Sequence, residues 1–181
     1  MELIDRLRER ANSQSRRVFT EQYAGLYLYG KLPGSQALGF RTRVANASTP
    51  SVLDLIQRAK EHPLGEDVLL RVEKSDRNSF KSRISVGRAT NNDLVLRHES
   101  VSKLHAHFYM RVDGGQERLM LCDVGSANGT LINGRTVGDQ EEDAVDVSAG
   151  DRILFGEVEC ELLDASGVYS RLQQRMAASD F

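Results

Sequence analysis

The chain has 181 residues, room for one ordinary domain with an extension or for two very small ones. Hydrophobic residues make up 40% and charged residues 28%, a globular mixture, and no apolar run approaches the roughly 20 residues a spanning helix needs, which argues against a membrane protein. A formal charge of −2 argues against a general nucleic-acid binder, and the charged start MELIDRLRER has no apolar core of a secretory signal, so the expected location is the cytoplasm.

The charge is mildly uneven: residues 1–66 hold ten Lys/Arg against seven Asp/Glu, and residues 67–181 hold fourteen against nineteen. Cys122 and Cys160 each fall inside an apolar strand-like run with no second Cys or His at zinc spacing. They read as buried thiols in a reducing compartment, and neither a metal nor a cofactor is expected.

Leu3, Ile4 and Leu7 among charges predict a short amphipathic helix over residues 1–12. From Ser15 to Gly30, Val18, Phe19, Tyr23, Leu26 and Tyr27 share one side of a helix, although GLYLYG alone also fits a strand; helix is the favoured reading. Residues 31–48 have no sustained period and predict an irregular connection. Thr49 as cap, Pro50 at the first helical position and Val52, Leu53, Leu55, Ile56 and Ala59 behind them predict a helix ending near Glu61-His62, before Pro63.

Past Gly65 the apolar period changes from helical to alternating, which places a domain boundary near residue 66. Val68, Leu70 and Val72 share a strand face, as do Ile84 and Val86, then Leu94 and Leu96. In HAHFYMRV the inward set is read as Ala106, Phe108, Met110 and Val112, with His107, Tyr109 and Arg111 outward. Asp113-Gly114-Gly115-Gln116 and Asn133-Gly134 supply hairpin turns whose central positions need positive φ. DRILF and EVECELL are two more strands, and the tail after Asp164 forms a closing helix through Val168, Leu172 and Met176. Short strands without helical crossovers predict a mainly β protein, an antiparallel sandwich over residues 67–163, with a helical segment at 1–66 and a helical tail at 164–181.

Three small polar clusters lie in the gaps between these strands: Gly87-Arg88, Ser102-Lys103-Leu104-His105, and Ser126-Ala127-Asn128-Gly129-Thr130. They set an arginine, a serine, a lysine and an asparagine on neighbouring loops, without an acid, base or metal ligand set beside them. That pattern suits an anion grip, not a reaction centre. His105 could in principle take a proton from Ser102, but the two lie three residues apart and no acid is evident to orient the ring.

GR at 87–88, S-x-x-H at 102–105 and NGT-x-x-NG at 128–134, in this order between short strands, resemble the forkhead-associated (FHA) domain, a phosphothreonine-peptide recognition sandwich. The resemblance covers residues 67–163. It implies that Arg88, Ser102 and Lys103 hold a phosphate, that Asn128 holds the peptide backbone, and that His105 buttresses the loop. The chemistry agrees: a phosphothreonine carries about −1.5 to −2 charges and three acceptor oxygens, and a guanidinium fork matches phosphate geometry. Lys103 stands where many relatives have arginine, which keeps the charge and loses the fork. Ala127 stands where many have a hydrogen-bonding residue. Gly87 is read as a tight position that aims Arg88, and Gly129, Asn133 and Gly134 as loop formers.

The resemblance therefore implies a non-enzymatic adaptor that binds phosphothreonine-containing proteins marked by a Ser/Thr kinase, with no nucleic-acid or membrane partner. The alternative is a phosphate-independent structural or assembly domain. Residues 1–66 offer a docking or self-association element, and Thr20, Thr42 and Thr49 make self-recognition conceivable if one is phosphorylated.

Overall fold

The structure, a computed structural model, describes residues 3–32 and 67–179. Two helices, α1 (Leu3–Ser13) and α2 (Arg16–Gln22), lead into strand β1 (Leu26–Lys31). The strands β2 (Asp67–Arg71), β3 (Arg83–Gly87), β4 (Leu94–Val95), β5 (Ala106–Asp113), β6 (Gln116–Asp123), β7 (Thr130–Ile132), β8 (Arg135–Thr136), β9 (Val145–Asp146), β10 (Arg152–Phe155) and β11 (Val158–Asp164) follow, and α3 (Ala165–Ser179) closes the described chain. A six-stranded sheet in the order β2-β1-β11-β10-β7-β8 packs on a five-stranded sheet in the order β4-β3-β5-β6-β9. The protein is thus mainly β, a sandwich with helices at both ends of the chain. All pairings are antiparallel except β3 with β4, which run parallel with Val86 opposite Leu94.

Two apolar cores hold this arrangement. Between the sheets lie Leu28, Val86, Leu96, Phe108, Leu121, Ile153, Phe155 and Leu162, all essentially inaccessible to water. On the outer face of the six-stranded sheet, Tyr27, Leu69 and Leu163 meet Ile4, Leu7 and Ala11 of α1, Phe19 of α2 and Val168 and Leu172 of α3. The i, i+3, i+7 spacing of Ile4, Leu7 and Ala11 gives α1 one apolar stripe, and that stripe is the face it buries. Ser15 caps α2 by accepting a hydrogen bond from the Val18 N–H. Each large side chain buried this way contributes about 1.5–3 kcal/mol.

The favoured helix over residues 15–30 ends early. α2 stops at Gln22, Gly25 takes φ +142°, and the chain continues as β1, which pairs with both β11 and β2. Leu28 points between the sheets and Tyr27 under the helices, so both faces of this strand are apolar and period-two alternation is hidden. Residues 1–66 are therefore not wholly helical, and the six-stranded sheet draws on both sides of the expected boundary at 66. The helix expected over 49–62, the irregular connection over most of 31–48, and Thr42 and Thr49 lie outside the described residues.

A second correction concerns β5. Ala106 and Phe108 are buried, but Met110 is 53% and Val112 67% exposed. The outer half of the inward face of β5 therefore meets water. His107 takes the outward face, as read, with its ring beside Tyr109, but it is covered there and buried. Across the strand pair it lies opposite Cys122, beneath the turn at Glu141–Asp143, whose Glu141 carbonyl accepts hydrogen bonds from Arg111 and Tyr109. The expected turns are present: Gly114 and Gly115 (φ +56° and +84°) join β5 to β6, and Asn133 and Gly134 (φ +49° and +81°) join β7 to β8.

Candidate functional site

The first polar cluster sits where β3 ends. A Cβ on Gly87 would lie 2.3 Å from the Lys103 carbonyl oxygen and 2.8 Å from Asn92 Nδ2. Glycine is required here by close approach of another backbone, since its φ is not positive. The next residue, Arg88, is exposed; its backbone N–H donates to the Ser102 carbonyl (3.0 Å), and Ala89 N–H donates to the Lys103 carbonyl (3.3 Å). Among the described residues, neither the Arg88 guanidinium nor the Lys103 ammonium has a hydrogen-bond or ion-pair partner.

The loop that carries Ser102 and Lys103 is fixed by His105. The His105 ring is fully buried; its Nδ1 accepts from the Ser102 N–H (3.0 Å) and its Nε2 lies 3.1 Å from the Gly129 carbonyl, so Nε2 carries the proton. Burial lowers the imidazole pKa, opposed by the Gly129 carbonyl and the Asp123 charge, and the ring is neutral. The Ser102 hydroxyl oxygen accepts from the Ala127 N–H (3.1 Å), leaving its own proton to be donated elsewhere. Ala127 therefore touches Ser102 through its backbone N–H, a contact that any residue except proline can make at this position.

The third cluster is built on Asp123 at the end of β6. Its carboxylate accepts from the Ser126 N–H and hydroxyl (both 2.7 Å) and from the Thr130 hydroxyl (2.6 Å). Burial alone would raise the Asp123 pKa, but the hydrogen bonds from Thr130 and Ser126 outweigh it and hold the group ionised below its usual value. Gly129, at φ +75°, turns its carbonyl to both His105 and the Gly156 N–H. The Asn128 side chain is exposed and donates from Nδ2 to the Ser100 carbonyl (2.8 Å), which leaves Oδ1 and the second amide proton available. Ser100 in turn receives the Glu157 N–H at its hydroxyl (2.9 Å).

Hydrogen bonds thus tie Arg88, Ser102, Lys103, His105 and Gly129 together across three loops, with Gly87 packed against the Lys103 carbonyl and Asn128 bonded to Ser100 beside them. Asn133 and Gly134 stand apart from this group. They close the β7–β8 turn, where Asn133 bonds Asp151 and the Arg152 N–H.

The supporting residues Asn92, Asp93, Ser100 and Asp123 were not singled out from sequence. Asn92 is 3% exposed, and its Nδ2 donates to both the Ala89 carbonyl (2.9 Å) and the Lys103 carbonyl (2.6 Å). Asp93 accepts from Lys74, Ser75, Asn78 and Ser85. The available signal for Asn92 and Asp93 was the run of short polar residues Thr90-Asn91-Asn92-Asp93 just ahead of the apolar Leu94, a usual site for side chains that bond backbone. No group of His, Cys, Asp and Glu among the described residues is arranged to hold a metal ion, and no described helix is long and apolar enough to cross a membrane.

Fold and site together define a two-sheet sandwich that displays free cations, a hydroxyl and an amide on loops at the ends of its strands. Residues 84–156 match the family model of the FHA domain. No curated protein matches the chain. Among solved structures, it is similar to the FHA domain of CT664 from Chlamydia trachomatis, at 20% identity over 77% of this chain and 98% of that one, with a TM-score of 0.43. It is also similar to the yeast Dun1 FHA domain in complex with a doubly phosphorylated peptide derived from Rad53, at 19% identity over 80% of this chain and 78% of that one, TM-score 0.45. A third, from work on phosphothreonine-dependent FHA domain interactions, is 25% identical over 55% of this chain and 84% of that one, TM-score 0.38.

Proposed function

We propose that this chain is a phosphothreonine-dependent peptide-binding module, not an enzyme, acting as an adaptor downstream of a Ser/Thr kinase. Arg88 and Lys103 neutralise the phosphate, Ser102 donates its hydroxyl to a phosphate oxygen, and Asn128 pairs with the peptide backbone. The observation that carries this reading is that the Arg88 and Lys103 side chains have no partner among the described residues while their loops are stitched together, Arg88 N–H to Ser102 and Ala89 N–H to Lys103. Two unneutralised cations beside a hydroxyl held by Ala127 suit a dianion. Charge-assisted hydrogen bonds contribute about 1.5–3 kcal/mol each, so two or three, less the ordering of a flexible peptide, match micromolar binding, about −8 kcal/mol.

His105 does not serve as a general base in this reading, because the nitrogen nearest Ser102 already accepts the Ser102 backbone N–H. Thr20, a candidate for self-recognition, lies within α2 with its hydroxyl on the Arg17 carbonyl, so it would have to leave the helix to enter the site extended.

Fluorescence anisotropy against degenerate phosphothreonine, phosphoserine and unphosphorylated peptide pools tests the proposal. Binding confined to the phosphothreonine pool and lost in Arg88→Ala is the expected result. Equal binding to all pools, or none that depends on Arg88, would replace it with an assembly role.

A further inference from the structure

We infer that Asn92 is a positioning residue that sets the spacing between the two phosphate-binding cations. The inference rests on the binding role proposed for Arg88 and Lys103. Arg88 opens the loop after β3, and Lys103 lies on the loop before β5; no side chain of either reaches the other. What joins the loops is the Lys103 carbonyl, which receives Asn92 Nδ2 at 2.6 Å and the Ala89 N–H at 3.3 Å. The same Nδ2 donates to the Ala89 carbonyl at 2.9 Å, and the Asn92 backbone N–H meets that carbonyl at 3.1 Å. One buried NH₂ group therefore spans the residue after Arg88 and the carbonyl of Lys103 itself.

The chemistry singles out asparagine. The bridge needs two N–H donors from one atom, each aimed at a different carbonyl; a carboxylate would offer none, and a hydroxyl only one. Gly87 completes the device, because any Cβ there would strike both the Lys103 carbonyl and Asn92 Nδ2. Phosphate binding by two separate cations depends on their separation, and this amide fixes the backbones that carry them.

The test is a double-mutant cycle on the full chain, read with a phosphothreonine peptide selected from the pools above. Asn92→Ala, and the isosteric Asn92→Asp, are expected to weaken binding about tenfold, the scale of one misplaced charged donor. In a Lys103→Ala background the same changes are expected to have little further effect, because the cation they position is gone. A merely structural role would give the same fold-change in both backgrounds, and that additivity would overturn the inference. If the variants fold poorly, the wild type is read directly: the Asn92 side-chain amide protons are expected to be exchange-protected by NMR and to shift when peptide binds. Unprotected, unshifted protons would equally overturn it. Should the wild type bind peptide in an Arg88-dependent way and the Asn92 variants bind equally well, this inference fails while the binding role stands. Absence of any Arg88-dependent binding removes both.

Discussion

His105 Nδ1 accepts a hydrogen bond from the backbone N–H of Ser102, while the opposite ring nitrogen faces the Gly129 carbonyl. One neutral ring thereby ties together the loops that bear Ser102 and Asn128. Protonation would set an N–H against the Ser102 N–H, so the bridge exists only in the neutral state.

Acid should therefore destabilise the fold. Burial lowers the pKa of His105, and burial aided by Arg83 lowers that of His107, from an ordinary 6.5. Between the depressed folded values and 6.5 the unfolded chain binds more protons, so stability is complete above about pH 6.5 and falls as pH drops through the folded pKa values. Urea midpoints measured from pH 8 to 5, with ring titration by NMR, check this; a His105 pKa above 6.5 would contradict it. His105→Ala removes both bridges and the edge-on contact with Phe155, at a cost of about 2–4 kcal/mol.

Asp93 should be the most sensitive polar position. Its buried carboxylate receives the Lys74 ammonium (2.8 Å), the N–H and hydroxyl of Ser75 (2.9 and 2.6 Å) and the N–H and hydroxyl of Ser85 (2.8 and 2.9 Å). Burial would raise its pKa, but these donors outweigh it and hold the group far below the usual carboxylate range. Its contribution is present above about pH 3.8 and lost as pH falls toward the folded value. Asp93→Ala leaves those donors unsatisfied and is expected to cost about 3–5 kcal/mol in denaturant unfolding, with Asp93→Asn costing less. A change below 1 kcal/mol would show that water replaces the carboxylate.

Much of this molecule was legible in the sequence where a residue acts through its own local geometry. Gly114-Gly115 and Asn133-Gly134 announce their turns because positive φ is a property of the residue, and the alternating runs announce β3 and β5. Strand β1 was legible only as the alternative to a helix, since it is buried on both faces and its two cores are assembled from distant parts of the chain. The polar clusters marked the loops but not their wiring: that Asn92 reaches Lys103, or Asn128 reaches Ser100, is tertiary and leaves no pattern in spacing.

Gly87→Ala should damage fold and site together. The added methyl would press on the Lys103 carbonyl, which is backbone and cannot swing aside. Overpacking of this kind costs about 1–3 kcal/mol, and the loop that carries Lys103 must move with it. Loss of phosphothreonine-peptide affinity beyond that of Lys103→Ala, with a lowered thermal midpoint, is the expected result. Wild-type affinity would mean that the two loops adjust independently.

Leu28 and Tyr27 are neighbours on β1, yet Leu28 lies in the core between the sheets and Tyr27 in the core beneath the helices. Side chains on one strand cannot leave one core without disturbing the other, so the helical layer and the sandwich should unfold as one unit. Phe19→Ala, at the centre of the helical layer and in ring contact with Tyr23 and Tyr169, is expected to cost about 3–5 kcal/mol. Calorimetry should show a single transition shifted to lower temperature. Two separate transitions, with only the first one moved, would instead mark the helices as an independent appendage.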